Sequence, residues 1–198
     1  MKISVMGIVD YRGMNSVILD LPCFKKFEGI ECLVKVAKDF SAEDIYLLEP
    51  IIDKHVFDWA TCDNLSGHVV TKALLGNPEL FPIVQGWKSA PSWRQRVACV
   101  SFLHFARRGQ QTERILDICE TVVKNPYRFT QLGAGWVLRD VSIHNKEIVI
   151  DFLNKHKGDM IKEAVRYATE KMSPSDKIKV EALKRAPKKT CRVCLENC

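Results

Sequence analysis

Residues 111–158 read QTERILDICETVVKNPYRFTQLGAGWVLRDVSIHNKEIVIDFLNKHKG. Apolar side chains return here every third or fourth position, the period of a helix with one buried face, and strand-like alternation is nearly absent. The punctuation is equally regular. One helix is expected over 111–124, stopped by Asn125-Pro126; a second over 127–142, stopped near His144-Asn145; a third over 145–156, stopped at Gly158. Gly and Pro at these places are helix terminators.

The same reading extends in both directions. Pro22 opens an apolar-periodic stretch to Phe40, and Ser41-Ala42-Glu43-Asp44 has the form of a capping box leading into Ile45, Leu48, Ile51 and Ile52. Further helices are expected over 58–75, from Asn77-Pro78 to about Trp87, over 92–107 before Gly109, over 159–171, and over 174–185 before Pro187. Turns of two to five residues leave only neighbouring, mostly antiparallel packing. Helix pairs returning at roughly 35–40 residues form the HEAT-like pattern, whose repeats stack into a curved solenoid with a concave face. An irregular all-α bundle is the alternative that the period alone leaves open. The expected organisation is one domain over 1–186 followed by a flexible, basic, cysteine-containing tail over 187–198.

At 198 residues the chain is long enough to bury roughly 70% of its unfolded surface without disulfide or metal staples. Apolar residues make up 46% and charged residues 27%, which excludes extensive disorder. No apolar run reaches the roughly 18 residues of a membrane span, and MKISVMGIVDYRG lacks the form of a signal peptide. An intracellular protein of cytoplasm or nucleus, without a membrane partner, is the expectation. The net charge of +6 is unevenly spread: residues 1–90 carry 9 basic and 12 acidic side chains, residues 91–198 carry 21 and 12. A basic half suggests a polyanion as partner, nucleic acid first, against the blander reading of a solvated lysine-rich surface.

Most catalytic signatures are missing. No P-loop, HExxH or GxSxG occurs, and Gly133-Ala134-Gly135 follows no strand, so it is no dinucleotide loop. The five histidines show no metal-ligand spacing. Of the eight cysteines, 23, 32, 62, 99 and 119 sit singly in apolar helical surroundings, as small core residues do. Cys191, Cys194 and Cys198 close the chain as a CxxC plus one, a weak zinc signal without a second pair or a nearby His. No metal and no nucleotide cofactor is expected.

Three segments stand out. In Asp58-Trp59-Ala60-Thr61-Cys62-Asp63, Trp59 and Asp63 stand four apart, on one face of a helix. A carboxylate beside an indole face suits a cationic ligand or transition state, unless the Trp is buried and one of the two acids is a cap. Ser92-Trp93-Arg94-Gln95-Arg96 begins a helix whose later turns carry Arg107 and Arg108. Arginines and helix N-terminal amides, here at Ser92 and Asn145, are common phosphate contacts, and a solvated Arg face with Trp93 lidding the core is the alternative. In Gly133-Ala134-Gly135-Trp136-Val137-Leu138-Arg139-Asp140, two helical glycines cost about 1 kcal/mol each relative to Ala. They mark a close approach, by another helix or by a ligand.

In this order and at these separations, Trp-x-x-x-Asp, Trp-Arg-x-Arg-Val-Ala and Gly-Trp-Val-Leu-Arg-Asp resemble the AlkD-like DNA alkylation repair glycosylases, a HEAT-like repeat family. The likeness is strongest over 57–155 and takes in EIVIDFL (147–153) and Ala182-Leu183-Lys184. It departs at the start: that family carries a further N-terminal helical segment ahead of the Met6-Gly7-Ile8 region, and Arg12-Gly13-Met14 matches its basic helix poorly. The resemblance implies hydrolysis of the N-glycosidic bond of N3- or N7-alkylated purines in double-stranded DNA, without cofactor, in a concave groove and without flipping the base into a pocket; a monomer is expected because a capped solenoid is usually monomeric. Asp63 would then stabilise the oxocarbenium-like sugar and hold the water. Trp59 and Trp136 would contact the deoxyribose, and Arg96 would grip the backbone. Trp93, Arg94, Arg107, Arg108 and Arg139 complete the expected DNA-binding set. A non-catalytic relative that binds distorted DNA, and a protein-interaction scaffold, are the competing readings.

Overall fold

The computed structural model describes residues 23–181, which are all-α, with no strand among them. The tail with Cys191, Cys194 and Cys198, the segment before Pro22 and Ala182-Leu183-Lys184 lie outside the described residues. Two compact units are distinguished, Met1–Val84 and Gln85–Cys198.

In the first unit, α1 (Cys23–Val36) runs into a 3-10 turn, Ala37–Asp39. Ser41 caps α2 (Ala42–His55) as its sequence implies: the Ser41 hydroxyl accepts from the Asp44 amide, and the Asp44 carboxylate accepts from the Ser41 amide. The helix expected over 58–75 is observed as α3 (Trp59–Asn64), a π-helical turn (Leu65–Val70) and α4 (Thr71–Gly76). In that turn the Thr71 amide reaches back five residues to the Ser66 carbonyl, joined there by the Thr71 hydroxyl at 2.9 Å, and the Ser66 hydroxyl donates to the Cys62 carbonyl at 2.6 Å. Such side-chain bonds compete with the regular ladder and admit the extra residue. Ile45, Leu48, Ile52, Cys62, Leu65, Val69 and Ala73 close the core of this unit. α4 meets the Ala37–Asp39 turn so tightly that a Cβ on Gly76 would collide with the Lys38 carbonyl oxygen. α5 (Phe81–Gly86) follows the 3-10 turn Pro78–Leu80.

In the second unit, α6 (Ser92–Val100) and the short α7 (Leu103–Ala106) replace the single helix expected over 92–107. The Ser101 hydroxyl turns back onto the Val97 carbonyl at 2.7 Å where the helix breaks, so Arg107 and Arg108 lie past the end of α7 rather than on the helix of Arg94 and Arg96. Gly109, at φ 66°, takes the left-handed turn that glycine tolerates best. Then come α8 (Thr112–Val122), α9 (Arg128–Val141), α10 (Lys146–His156), α11 (Lys162–Ala168) and α12 (Pro174–Glu181), within a few residues of the expected bounds.

Alternate helices pack together in this unit: α9 against both α6 and α11, and α10 against α12. The repeat is visible in two glutamines 36 residues apart. Gln95 on α6 donates to the Lys88 carbonyl at 2.9 Å; Gln131 on α9 donates to the carbonyls of Val123, Asn125 and Asp159 at 2.8–2.9 Å and accepts from the Ile161 amide at 2.6 Å. Each buried amide ties the loop before its helix to the helix itself and satisfies carbonyls that would otherwise be orphaned. The apolar layer between them includes Val97, Phe102, Ile115, Ile118, Val122, Val137, Leu138, Val149 and Leu153.

Candidate DNA-processing site

At the start of α3, two acids flank Trp59, and the structure separates their roles. Asp58 is the N-cap: its carboxylate accepts from the Thr61 amide and the Thr61 hydroxyl, both at 2.7 Å. Asp63 is not the cap. It lies one helical turn beyond Trp59 on the same face, half-buried, just ahead of the π turn. Trp59 is 58% exposed, which removes the alternative of a buried core tryptophan. Phe57, just before the cap, is 65% exposed. The segment thus offers an open aromatic face and a carboxylate one turn apart, an arrangement able to stabilise a cation.

The basic and aromatic residues of the second unit fall into two groups. At the first turns of α6 and α9, Trp93 stacks on Phe129 (5.6 Å, 20°) and meets Tyr127 edge-on at 5.6 Å, while the Arg128 guanidinium lies 5.0 Å from the centre of the Phe129 ring. Trp93 therefore joins a half-buried aromatic cluster at the helix ends. Arg96 is held inside this contact. It is 5% exposed, donates from Nη1 to the Phe129 carbonyl at 2.6 Å, and its side chain fills the space that Gly133 leaves. Arg94 is half-buried.

The second group centres on Asp140, whose buried carboxylate accepts from Arg107 Nε at 2.8 Å and from Arg139 Nε at 3.0 Å. Arg139 also pairs with Glu170 at 3.0 Å and lies 5.1 Å from the Tyr167 ring centre. Burial lowers its basicity, but its hydrogen bonds to Glu170 and Asp140 outweigh that and raise its pKa above the ordinary arginine value. Tyr167 stacks on Trp136 at 6.4 Å and 19°. Arg107 keeps a half-exposed side chain, and Arg108 is exposed and donates to the His104 carbonyl at 3.0 Å. Burial, then the charges of Arg108 and Arg107, hold His104 below the ordinary histidine range. Arg139 is mainly an internal tie, whereas Arg107 and Arg108 present positive charge outward.

The close approach marked by the two glycines is made by protein. A Cβ on Gly135 would stand 2.7 Å from the Ala164 carbonyl oxygen of α11, and one on Gly133 would stand 3.1 Å from Arg96 Cγ. At the helix start near Asn145, the Asn145 side chain itself accepts from the Ile148 amide, so that terminus carries its own cap. Sequence reasoning did not find Tyr167. Its only signal was indirect: Gly135 announced that another helix comes close, without saying which residue that helix carries.

Among the described residues no group of three His, Cys, Asp or Glu side chains could hold a metal ion, and no helix is long and apolar enough to cross a membrane. An open polar hollow of about 620 Å³, lined by Gln85, Gln111, Glu113, Arg114 and Asp117, contains none of the expected site residues.

Comparison with known proteins places the chain in a family and finds a similar fold. The family model for DNA alkylation repair enzymes matches residues 25–172. A solved structure described as a predicted DNA alkylation repair enzyme from Enterococcus faecalis superposes with a TM-score of 0.73 at 14% identity, covering 83% of this chain and 76% of that one. That identity speaks for the fold alone. No curated protein sequence matches the chain.

Proposed function

Because the chain belongs to the family of DNA alkylation repair enzymes, we propose that it is a DNA glycosylase that hydrolyses the N-glycosidic bond of N3- and N7-alkylated purines in double-stranded DNA and so opens base excision repair. The observation that carries this reading is the Trp59–Asp63 pair: an exposed indole and a half-buried carboxylate one turn apart on α3, with Asp58, not Asp63, serving as the helix cap.

The chemistry asks for little else. An alkylated purine is cationic, so when its bond to C1′ breaks, the electron pair goes to the base and a neutral molecule leaves. No general acid is required for that step. Positive charge develops on the sugar, and the oxygen of a water then forms a bond to C1′ and loses a proton to the surrounding water. Asp63 stabilises the developing cation and orients the water; the face of Trp59 favours the same charge. In the second unit Trp136 is the proposed aromatic contact to the deoxyribose. Arg94, Arg107, Arg108 and Trp93 are proposed contacts to the DNA backbone. Arg96 joins them by exchanging the Phe129 carbonyl for a phosphate oxygen. The protein would act as a monomer, inside the cell.

The test is release of N7-methylguanine from duplex DNA by the wild type beside Asp63→Asn, at matched melting temperature. Release by the wild type alone supports the reading. Equal release by both would remove Asp63 from the chemistry. No release, with duplex bound at a salt slope of about 0.9 per phosphate contacted, would favour a non-catalytic DNA-binding relative. No binding at all would leave a protein-interaction scaffold.

A further inference from the structure

Trp136 is held in an unusual way. Its indole Nε1 is buried and makes no hydrogen bond among the described residues, so no polar anchor sets the ring's direction. The ring is stacked instead on a neighbour. Gly135 lets the backbone of α11 approach α9 to a distance that any side chain would forbid. Ala164, at that contact, and Tyr167 are three residues apart on α11 and so share a face. The Tyr167 ring lies 6.4 Å from that of Trp136 and within 19° of parallel. Tyr167 is fixed in turn by the Arg139 guanidinium over its ring at 5.1 Å, and Arg139 by Asp140 and Glu170 at 3.0 Å each.

We propose that Tyr167 is a positioning residue for base excision: it covers one face of Trp136 and fixes the angle at which the indole meets the DNA sugar. This rests on the glycosylase reading. An aromatic ring gains most from a developing cation when its face is presented squarely, and a small misplacement of a contact group is costly to the rate. Tyr167 reaches the substrate only through Trp136, so its effect belongs in the excision rate and not in the affinity for DNA. The ring is what matters, since stacking needs no hydroxyl.

The experiment is single-turnover release of N7-methylguanine by wild type, Tyr167→Phe and Tyr167→Leu, with duplex affinity measured separately. Both variants are repeated in a Trp136→Leu background, and the Trp136 indole N–H resonance is followed by NMR. Tyr167→Phe should stay within about twofold of wild type. Tyr167→Leu should lose about tenfold in maximal rate at unchanged affinity, lose nothing further in the Trp136→Leu background, and shift the indole resonance. An unshifted resonance, an unchanged rate, or an equal loss in both backgrounds would overturn the proposal while leaving the glycosylase reading standing. A wild type that releases no base would overturn both.

Discussion

Replacing Gly135 by Ala puts the close packing of α9 on α11 to a quantitative test. The added methyl would sit 2.7 Å from the Ala164 carbonyl oxygen and 3.3 Å from both the Ala164 carbonyl carbon and its Cα. These are backbone atoms of a helix, which cannot rotate away as a side-chain tip can. α11 must withdraw by several tenths of an ångström, and the packing around Ala164 and Ala168 loosens with it. Overpacking of this kind costs about 1–3 kcal/mol, and a rigid neighbour points to the upper end. Against it, Ala in a helix interior gains up to about 1 kcal/mol over Gly. The net expectation is a loss of about 2 kcal/mol, a drop in melting temperature of roughly 4–8 °C for a chain of this size. Gly133→Ala is the internal control. Its methyl meets Arg96 Cγ at 3.1 Å, a milder approach and to a side chain rather than to backbone, so its melting temperature should lie above that of Gly135→Ala. The assay is thermal unfolding by circular dichroism of the three proteins side by side. A Gly135→Ala protein as stable as wild type, or more stable, would refute the claim that backbone contact at this point decides the packing.

Further outcomes follow from single interactions. Asp58→Ala removes the cap of α3 and should cost about 1 kcal/mol, read as a fall of roughly 2–4 °C in melting temperature. Asp140→Ala leaves Arg107 and Arg139 facing a buried gap. Discounted for the half-exposed Arg107, the cost should be about 2–3 kcal/mol by urea unfolding, and a change below about 0.5 kcal/mol would count against the network. The Ser173 hydroxyl, then Lys146 and Lys179, hold the Asp176 carboxyl well below the usual carboxylate range. Its contribution is therefore fully present above the unfolded value near pH 4 and is lost as pH falls toward the lowered one. Wild type should out-melt Asp176→Asn at pH 7, and the gap should close steadily below about pH 4; a gap independent of pH would contradict the assignment.

The amino-acid sequence alone determined that the described residues are helical, and most of the places where helices begin and end, though not the breaks inside 58–75 and 92–107. Period, capping residues and Gly or Pro stops act within a few residues, and so they are legible locally: Ser41 with Asp44, Asn125-Pro126 and Gly109 all do in the structure what their chemistry implies. The family, too, was readable, because Trp59, Asp63, Arg96 and Trp136 keep their order and spacing through any rearrangement of contacts. Tertiary structure decided what those side chains face. Which of Asp58 and Asp63 caps α3 depends on a single hydrogen-bond geometry. That Arg96 and Arg139 turn inward depends on the Phe129 carbonyl and on Glu170, 33 and 31 residues away in the chain, and on the neighbouring Asp140. The π turn after Asp63 arises where hydroxyls of Ser66 and Thr71 outcompete the regular ladder, a balance that periodicity does not register. Tyr167 became visible only once α11 was seen to approach Gly135. Local rules set the elements because helix energetics is local; the partners of a charged or aromatic side chain are chosen by packing between elements, which no short window of sequence contains.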